Sequence, residues 1–365
     1  MSLENEISTA RKDIRTDDYP MSIGEWSSMY EAGELDIHPE FQRMFRWDEN
    51  QKSNLIESII LGIPVPPIFV SQRQNGIWDV IDGLQRLSTI FQFMGILKDE
   101  FGKTVPPLCL TSTKYLPSLE GIKWNEGTKR STLPDEIKRI IKRSKIGVSI
   151  LLRESDEDTK YDLFQRLNTG GTSLTPQEVR NCIMVMIDPE FYHWVEKLTK
   201  IPSFIETTCL SDKLITEKYD MELVLRYIIF SQASIDSLKK VGDVGKYLTE
   251  EMEKIAKDKD FSRDEAYHNF KKVFDILGKN LGSDAFKRFS SKKKRHEGGF
   301  SVSAFEAVTA GVRKREEKGL AMTDISSIVS SLWEQADFIE WAKSGVNASR
   351  RLWHTISFSR NYFTK

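Results

Sequence analysis

One short stretch constrains this chain more than any other. Between Ile77 and Asp82 apolar and polar residues alternate; after Gly83, Leu84, Leu87, Ile90 and Phe91 recur at helical spacing. A period of two marks a strand with one buried face, and a period near 3.6 marks a helix. The period changes at Asp82-Gly83, so a strand must turn sharply into a helix there. Asn75-Gly76 stands before the strand, and Pro66-Pro67-Ile68-Phe69-Val70 before that pair. An Asn-Gly pair between two apolar runs is the pattern of a β-hairpin.

Two readings of the turn follow. In one, Asp82 caps the helix, Gln85 completes a capping box, and Arg86 is an exposed helix residue. In the other, the helix start presents free N–H groups and a partial positive charge. Gly83 then lets a ligand approach the backbone, with Arg86 one turn further in and Asp82 at the rim of a phosphate cradle.

Upstream, Ser22-Ile23-Gly24-Glu25 is a capping box for a helix carrying Trp26, Met29 and Tyr30, and Leu35-Asp36-Ile37 is a short strand. Pro39-Glu40-Phe41-Gln42-Arg43-Met44-Phe45-Arg46-Trp47 sets two arginines among three aromatics in a loop. Either the aromatics plug the core and the arginines are solvated, or Arg43 or Arg46 clamps an anion, since a guanidinium pairs bidentately with phosphate. Gln51 to Leu61 reads as an amphipathic helix stopped by Gly62 and Pro64. Lys98 to Asn125 reads as an insertion or long loop, Leu133 to Lys142 as a helix and Gly147 to Leu152 as a buried strand.

A third block runs from Tyr161 to Glu178. A helix ends near Asn168, and Gly170-Gly171 offer positive-φ positions. Thr175-Pro176-x-Glu178 starts another helix, with cap, N1 proline and N3 glutamate together. The bend is either an anion-binding nest or an ordinary corner between helices. From Pro189 onward only helical periods recur, which predicts an all-α domain. Inside it, Lys292-Lys293-Lys294-Arg295 is a basic run read as a loop, either solvated or touching a phosphate backbone. With 53 basic and 54 acidic side chains the net charge is −1, so any DNA contact must come from such a local patch.

No apolar run is long enough to span a bilayer, and Met1 to Arg15 lacks the core of a signal peptide. Cys109, Cys182 and Cys209 have neither metal nor disulfide spacing, which reads as buried free thiols in a reducing, cytoplasmic setting.

Three motifs thus stand in order: Pro39-x-Phe41-Gln42-Arg43 with Trp47; Ile81-Asp82-Gly83-x-Gln85-Arg86; and Phe164-x-Arg166-Leu167-Asn168-x-Gly170 with Leu174 and Glu178. Together they resemble the GmrSD-type restriction family in its N-terminal domain, over about residues 20–185. Leu84 departs from the family's Asp-Gly-Gln-Gln-Arg pattern.

The resemblance implies a ParB/sulfiredoxin-like N-terminal domain with a small mixed sheet over residues 1–187; with the all-α domain that the helical periods predict over 188–365, the expected fold class is α+β. It implies a nucleoside triphosphate with Mg2+, and often its hydrolysis, in a bacterial anti-phage system. Asp82, Gln85 and Arg86 are the expected catalytic residues, with Asp82 also holding the metal. Gln42, Arg43, Arg46, Gly83, Arg86, Arg166, Asn168, Gly170 and Gly171 are the expected nucleotide contacts. Lys292, Lys293, Lys294 and Arg295 are the expected DNA contacts. The five histidines, His38, His193, His268, His296 and His354, do not form a His-Asn-His nuclease signature. The resemblance is therefore to a separate nucleotide-binding subunit, working with a nuclease subunit and open to homo-oligomerisation, with no membrane partner. Two other functions fit the residues: a non-enzymatic DNA-binding or sensing subunit, and a metal-dependent nuclease.

Overall fold

The computed structural model describes residues 16–37, 47–73, 75–99, 101–125, 131–152, 175–343 and 345–365. The chain divides into two compact units, Met1–Ser173 and Leu174–Lys365.

The described residues of the first unit form five strands: β1 (Thr16–Ser22), β2 (Leu35–Asp36), β3 (Ile68–Gln72), β4 (Trp78–Asp82) and β5 (Lys145–Leu151). They form one mixed sheet in the order β1-β5-β3-β4-β2. β3 and β4 are the hairpin that Asn75-Gly76 announces, and Gly76 takes φ +86°. β5 runs parallel to β3, and β2 parallel to β4. The edge strand β1 was not foreseen. Asp17, Asp18 and Pro20 are poor strand formers, but an edge tolerates a proline because one side of its backbone needs no partner.

Among the described residues four helices accompany the sheet: α1 (Ile23–Ala32), α2 (Glu49–Ile60), α3 (Leu84–Met94) and α4 (Asp135–Arg143). Ser22 caps α1 by accepting the Glu25 N–H at 3.1 Å. Asp48 and Gln51 close a complete capping box on α2. The buried faces are apolar: Trp26, Ile56, Leu87, Phe91 and Ile141 from the helices, Ile68, Val70, Val80 and Val148 from the strands. The segment 98–125 has little regular structure yet is packed, with Leu108, Leu110 and Trp124 buried. Glu57 anchors it. Its Oε1 accepts from Thr113 Oγ1 at 2.5 Å, Tyr115 N at 2.8 Å and Leu116 N at 2.9 Å. The Thr113 bond leads in holding this carboxyl below its usual range, because all three donors favour the charged form.

The second unit contains α5 (Pro176–Ile187), α6 (Pro189–Thr199), α7 (Pro202–Thr208), α8 (Asp212–Thr216), α9 (Tyr219–Gln232), α10 (Ile235–Lys239), α11 (Val244–Lys257), α12 (Arg263–Leu281), α13 (Val302–Glu317), α14 (Ile325–Leu332), α15 (Ala336–Ala342) and α16 (Ala348–Tyr362). The longer helices fall where the period places them. The short ones, α7, α8, α10 and α15, span too few turns to leave a periodic trace.

It is not wholly helical. Residues Arg288–Ser290 (β6) and Arg295–Glu297 (β7) pair antiparallel, so the expected basic loop is the turn of a small hairpin. Three-residue strands are too short for alternation to register. The thiols also need correction. All three are free, but only Cys182 is buried; Cys109 alternates outward between buried Leu108 and Leu110, and Cys209 ends α7 in an exposed left-handed conformation.

Charge lies inside this unit. Glu222 joins Arg180 (Oε2 to Nη2, 2.5 Å) to Arg226 (Oε1 to Nη2, 2.7 Å), and Glu306 joins Arg226 (2.6 Å) to Arg351 (2.9 Å). Burial disfavours the charge on Arg226, but Glu306 and Glu222 outweigh it and raise its pKa. Buried ions survive only when paired and hydrogen-bonded, so these helices are locked in register by charge as well as by packing.

Candidate functional site at the β4–α3 turn

The turn is built by a bulge and a glycine. Val70 pairs with Val80 and Phe69 with Asp82, so Ile81 is an extra residue in β4. Val80 and Ile81 are therefore both buried, the alternation slips, and Asp82 is re-aimed at the strand's end. Gly83 follows with φ +99°, and α3 begins at Leu84 with no side-chain cap. An added Cβ at position 83 would lie 2.3 Å from Ile68 Cδ1. Both the torsion and the space exclude a side chain.

The capping-box reading of Asp82 and Gln85 is thereby corrected. The helix starts one residue later than a cap at Asp82 requires, with Gly83 in the cap position. Asp82 Oδ2 instead accepts from Arg86 Nη2 at 2.8 Å. Gln85 Oε1 accepts from the Trp47 N–H at 3.2 Å, so the residue closing the first motif is tied to the second. Arg86 is not an exposed helix residue: its side chain is 13% exposed, against 37% for Asp82. Its guanidinium edge lies over Gly83, with Nη2 3.1 Å and Nε 3.3 Å from the position a Cβ would take. Arg86 Nε is buried with no hydrogen-bond partner among the described residues. The turn thus joins an uncapped helix start, a bare glycine, one buried guanidinium with a donor unmet, and one half-exposed carboxylate with Oδ1 outside the ion pair.

Residues 23–185 match the family model described as GmrSD restriction endonuclease, N-terminal domain. This segment is a GmrSD-type N-terminal domain. It ends inside α5, whose start carries the full capping box expected of Thr175 and Glu178. No curated protein and no solved structure gave a match.

Of the other expected site residues, Gln42, Arg43, Arg46, Arg166, Asn168, Gly170 and Gly171 lie outside the described residues. Within the GmrSD-type domain, sequence reading missed a second charged cluster. Arg73 bonds Asp79 through Nε at 2.8 Å and Asp36 through Nη2 at 2.8 Å. Asp36 and Asp79 face each other in parallel register, and like charges so placed need a cation between them. In the second unit, Lys292, Lys293, Lys294 and Arg295 are exposed at the hairpin turn, and Lys293 is engaged by Glu297 at 2.8 Å. Among the described residues no group of three or more His, Cys, Asp or Glu is placed to hold a metal ion, and no helix is long and apolar enough to cross a membrane.

Proposed function

We propose that the chain is a nucleoside triphosphate-binding subunit of a restriction-like anti-phage system, with the β4–α3 turn as its phosphate site. The observation that carries the reading is the turn itself: an uncapped helix N-terminus behind a glycine that has no room for a side chain, with the unmet Nε of Arg86 beside it. Free N–H groups and the helix dipole favour an anion there, and a guanidinium adds charge-assisted bonds. Arg86 would hold phosphate oxygens and Asp82 Oδ1 would meet a magnesium ion. One carboxylate suits magnesium, which takes its remaining ligands from phosphate and water. Gln85 would fix the Trp47 end of the first motif over the site, and Arg43 or Arg46 would close it. Hydrolysis requires positioning and charge neutralisation more than covalent chemistry, so this sparse set is sufficient.

Thermal unfolding of the full chain with ATP, GTP, CTP and UTP, each with and without magnesium, tests this. A nucleotide at a hundred times its Kd stabilises by about 2.7 kcal/mol. Arg86→Ala should weaken it about ten- to hundredfold while circular dichroism is kept. Asp82→Asn should retain binding and lose phosphate release. A flat response to all four nucleotides would refute the reading. The exposed Lys292, Lys294 and Arg295 favour a second one, a DNA-binding subunit without turnover.

A further inference from the structure

The second unit contains a cavity of about 540 Å3 beside the β6–β7 hairpin, and its lining joins two chemistries. Trp333 at the end of α14, with Ile339 and Ala342 of α15, supplies an apolar wall. Arg288, Lys293, Glu297 and Lys343 supply charge.

These charges do not cancel. Glu297 is engaged by Lys293 at 2.8 Å, and that bond leads in holding its carboxyl below the usual range. Arg288 and Lys343 are exposed and make no ion pair or side-chain hydrogen bond among the described residues. Two positive charges are thus left over beside an apolar wall. A phosphate monoester carries about −1.5 to −2 charges near neutral pH and matches them, where a carboxylate carries only one. A guanidinium also suits phosphate geometrically, since it can bind two oxygens at once. Phosphate alone would leave the apolar wall and most of the volume unused, whereas cavities of about 300–1,000 Å3 enclose a whole small molecule. The ligand that fits is a phosphate monoester carrying a compact apolar body. A nucleobase is such a body, and aromatic side chains hold bases of any sequence. The exposed Lys292, Lys294 and Arg295 on the same hairpin extend the positive charge beyond the cavity, which suits a phosphate that continues into a polyanion.

We propose that this cavity binds a 5′-nucleotide, with its phosphate on Arg288 and Lys343 and its base against Trp333 and Ile339. The nucleotide is either free or the 5′-phosphorylated end of a DNA strand that runs on over the hairpin turn. This site is independent of the phosphate site at the β4–α3 turn.

Titration calorimetry of the full chain with AMP, adenosine and ribose 5-phosphate is the test, in the parent and in Arg86→Ala. The expected result is a saturable AMP-binding event that persists in Arg86→Ala, with adenosine and ribose 5-phosphate each at least about tenfold weaker. Arg288→Gln/Lys343→Gln, altered only at exposed side chains, should bind AMP at least about a hundredfold more weakly while circular dichroism is kept. A 5′-phosphorylated deoxyadenosine decamer and its 5′-hydroxyl form separate the two sources. Tighter binding of the phosphorylated strand than of AMP, absent from the hydroxyl form, marks the strand end; AMP binding at least as tightly marks the free nucleotide. No saturable heat with AMP or the phosphorylated strand, loss of the event in Arg86→Ala, equal binding of adenosine or ribose 5-phosphate, or unchanged affinity in the Arg288/Lys343 variant would each overturn the proposal.

Discussion

Replacing Gly83 by alanine isolates what shapes the β4–α3 turn. At φ +99° an alanine meets the left-handed penalty of about 1–2 kcal/mol. The new methyl would also sit 2.3 Å from Ile68 Cδ1, and Ile68 is fully buried in the central strand β3. Forcing such a side chain aside in a packed core costs about 1–3 kcal/mol. The two effects act at one atom but have separate causes, so the expected loss is about 2–5 kcal/mol. Gly62→Ala is the control. Gly62 has φ +70° and nothing within 4 Å of its added Cβ, so only the torsional cost of about 1–2 kcal/mol applies. Urea unfolding followed by tryptophan fluorescence compares the two, the midpoint shift being converted through the m-value. A Gly83→Ala variant no less stable than Gly62→Ala would refute the reasoning, since Ile68 would then have yielded freely.

Three further outcomes are expected. Glu306→Ala leaves Arg226 and Arg351 without their shared carboxylate in the interior and should cost about 3–5 kcal/mol, measured by the same unfolding curves; a loss below about 1 kcal/mol would mean that water reaches the network. Glu57 has a folded pKa below its unfolded value near 4.3, so its contribution is complete above that value and lost as pH falls through the folded one. The stability gap between the parent and Glu57→Gln should therefore narrow on acidification from about pH 6 to pH 3, and a gap constant across that range would contradict the assignment. If the β6–β7 turn contacts DNA, replacing Lys292, Lys293, Lys294 and Arg295 by serine should flatten the log–log salt dependence of binding by about 2–3 units. The figure is three contacts rather than four because Lys293 is engaged by Glu297; an identical slope marks the turn as solvated.

Much of the chain declared itself. The hairpin of β3 and β4, the switch of period at Gly83, the Ser22 cap of α1, the capping box on α5 and the long helices of the second unit are local features, set by torsional preference and by which residues recur on one face. The GmrSD-type N-terminal domain over residues 23–185 was legible too, because its motifs are short runs of adjacent residues. What the sequence could not state is what each side chain meets across space. The cap at residues 82–85 looked complete as a local pattern, yet the bulge at Ile81 moved the helix start by one residue and released Asp82 to Arg86 and Gln85 to Trp47. The pairing of Arg73 with Asp36, and of Glu306 with Arg226 and Arg351, joins residues 37, 80 and 45 positions apart. A lone Arg226 in an apolar run signals that some buried partner must exist, but only packing of the helices selects which. The cavity beside the β6–β7 hairpin is invisible in one dimension for the same reason. A cavity is a property of surfaces that meet, and no local periodicity encodes the space they leave.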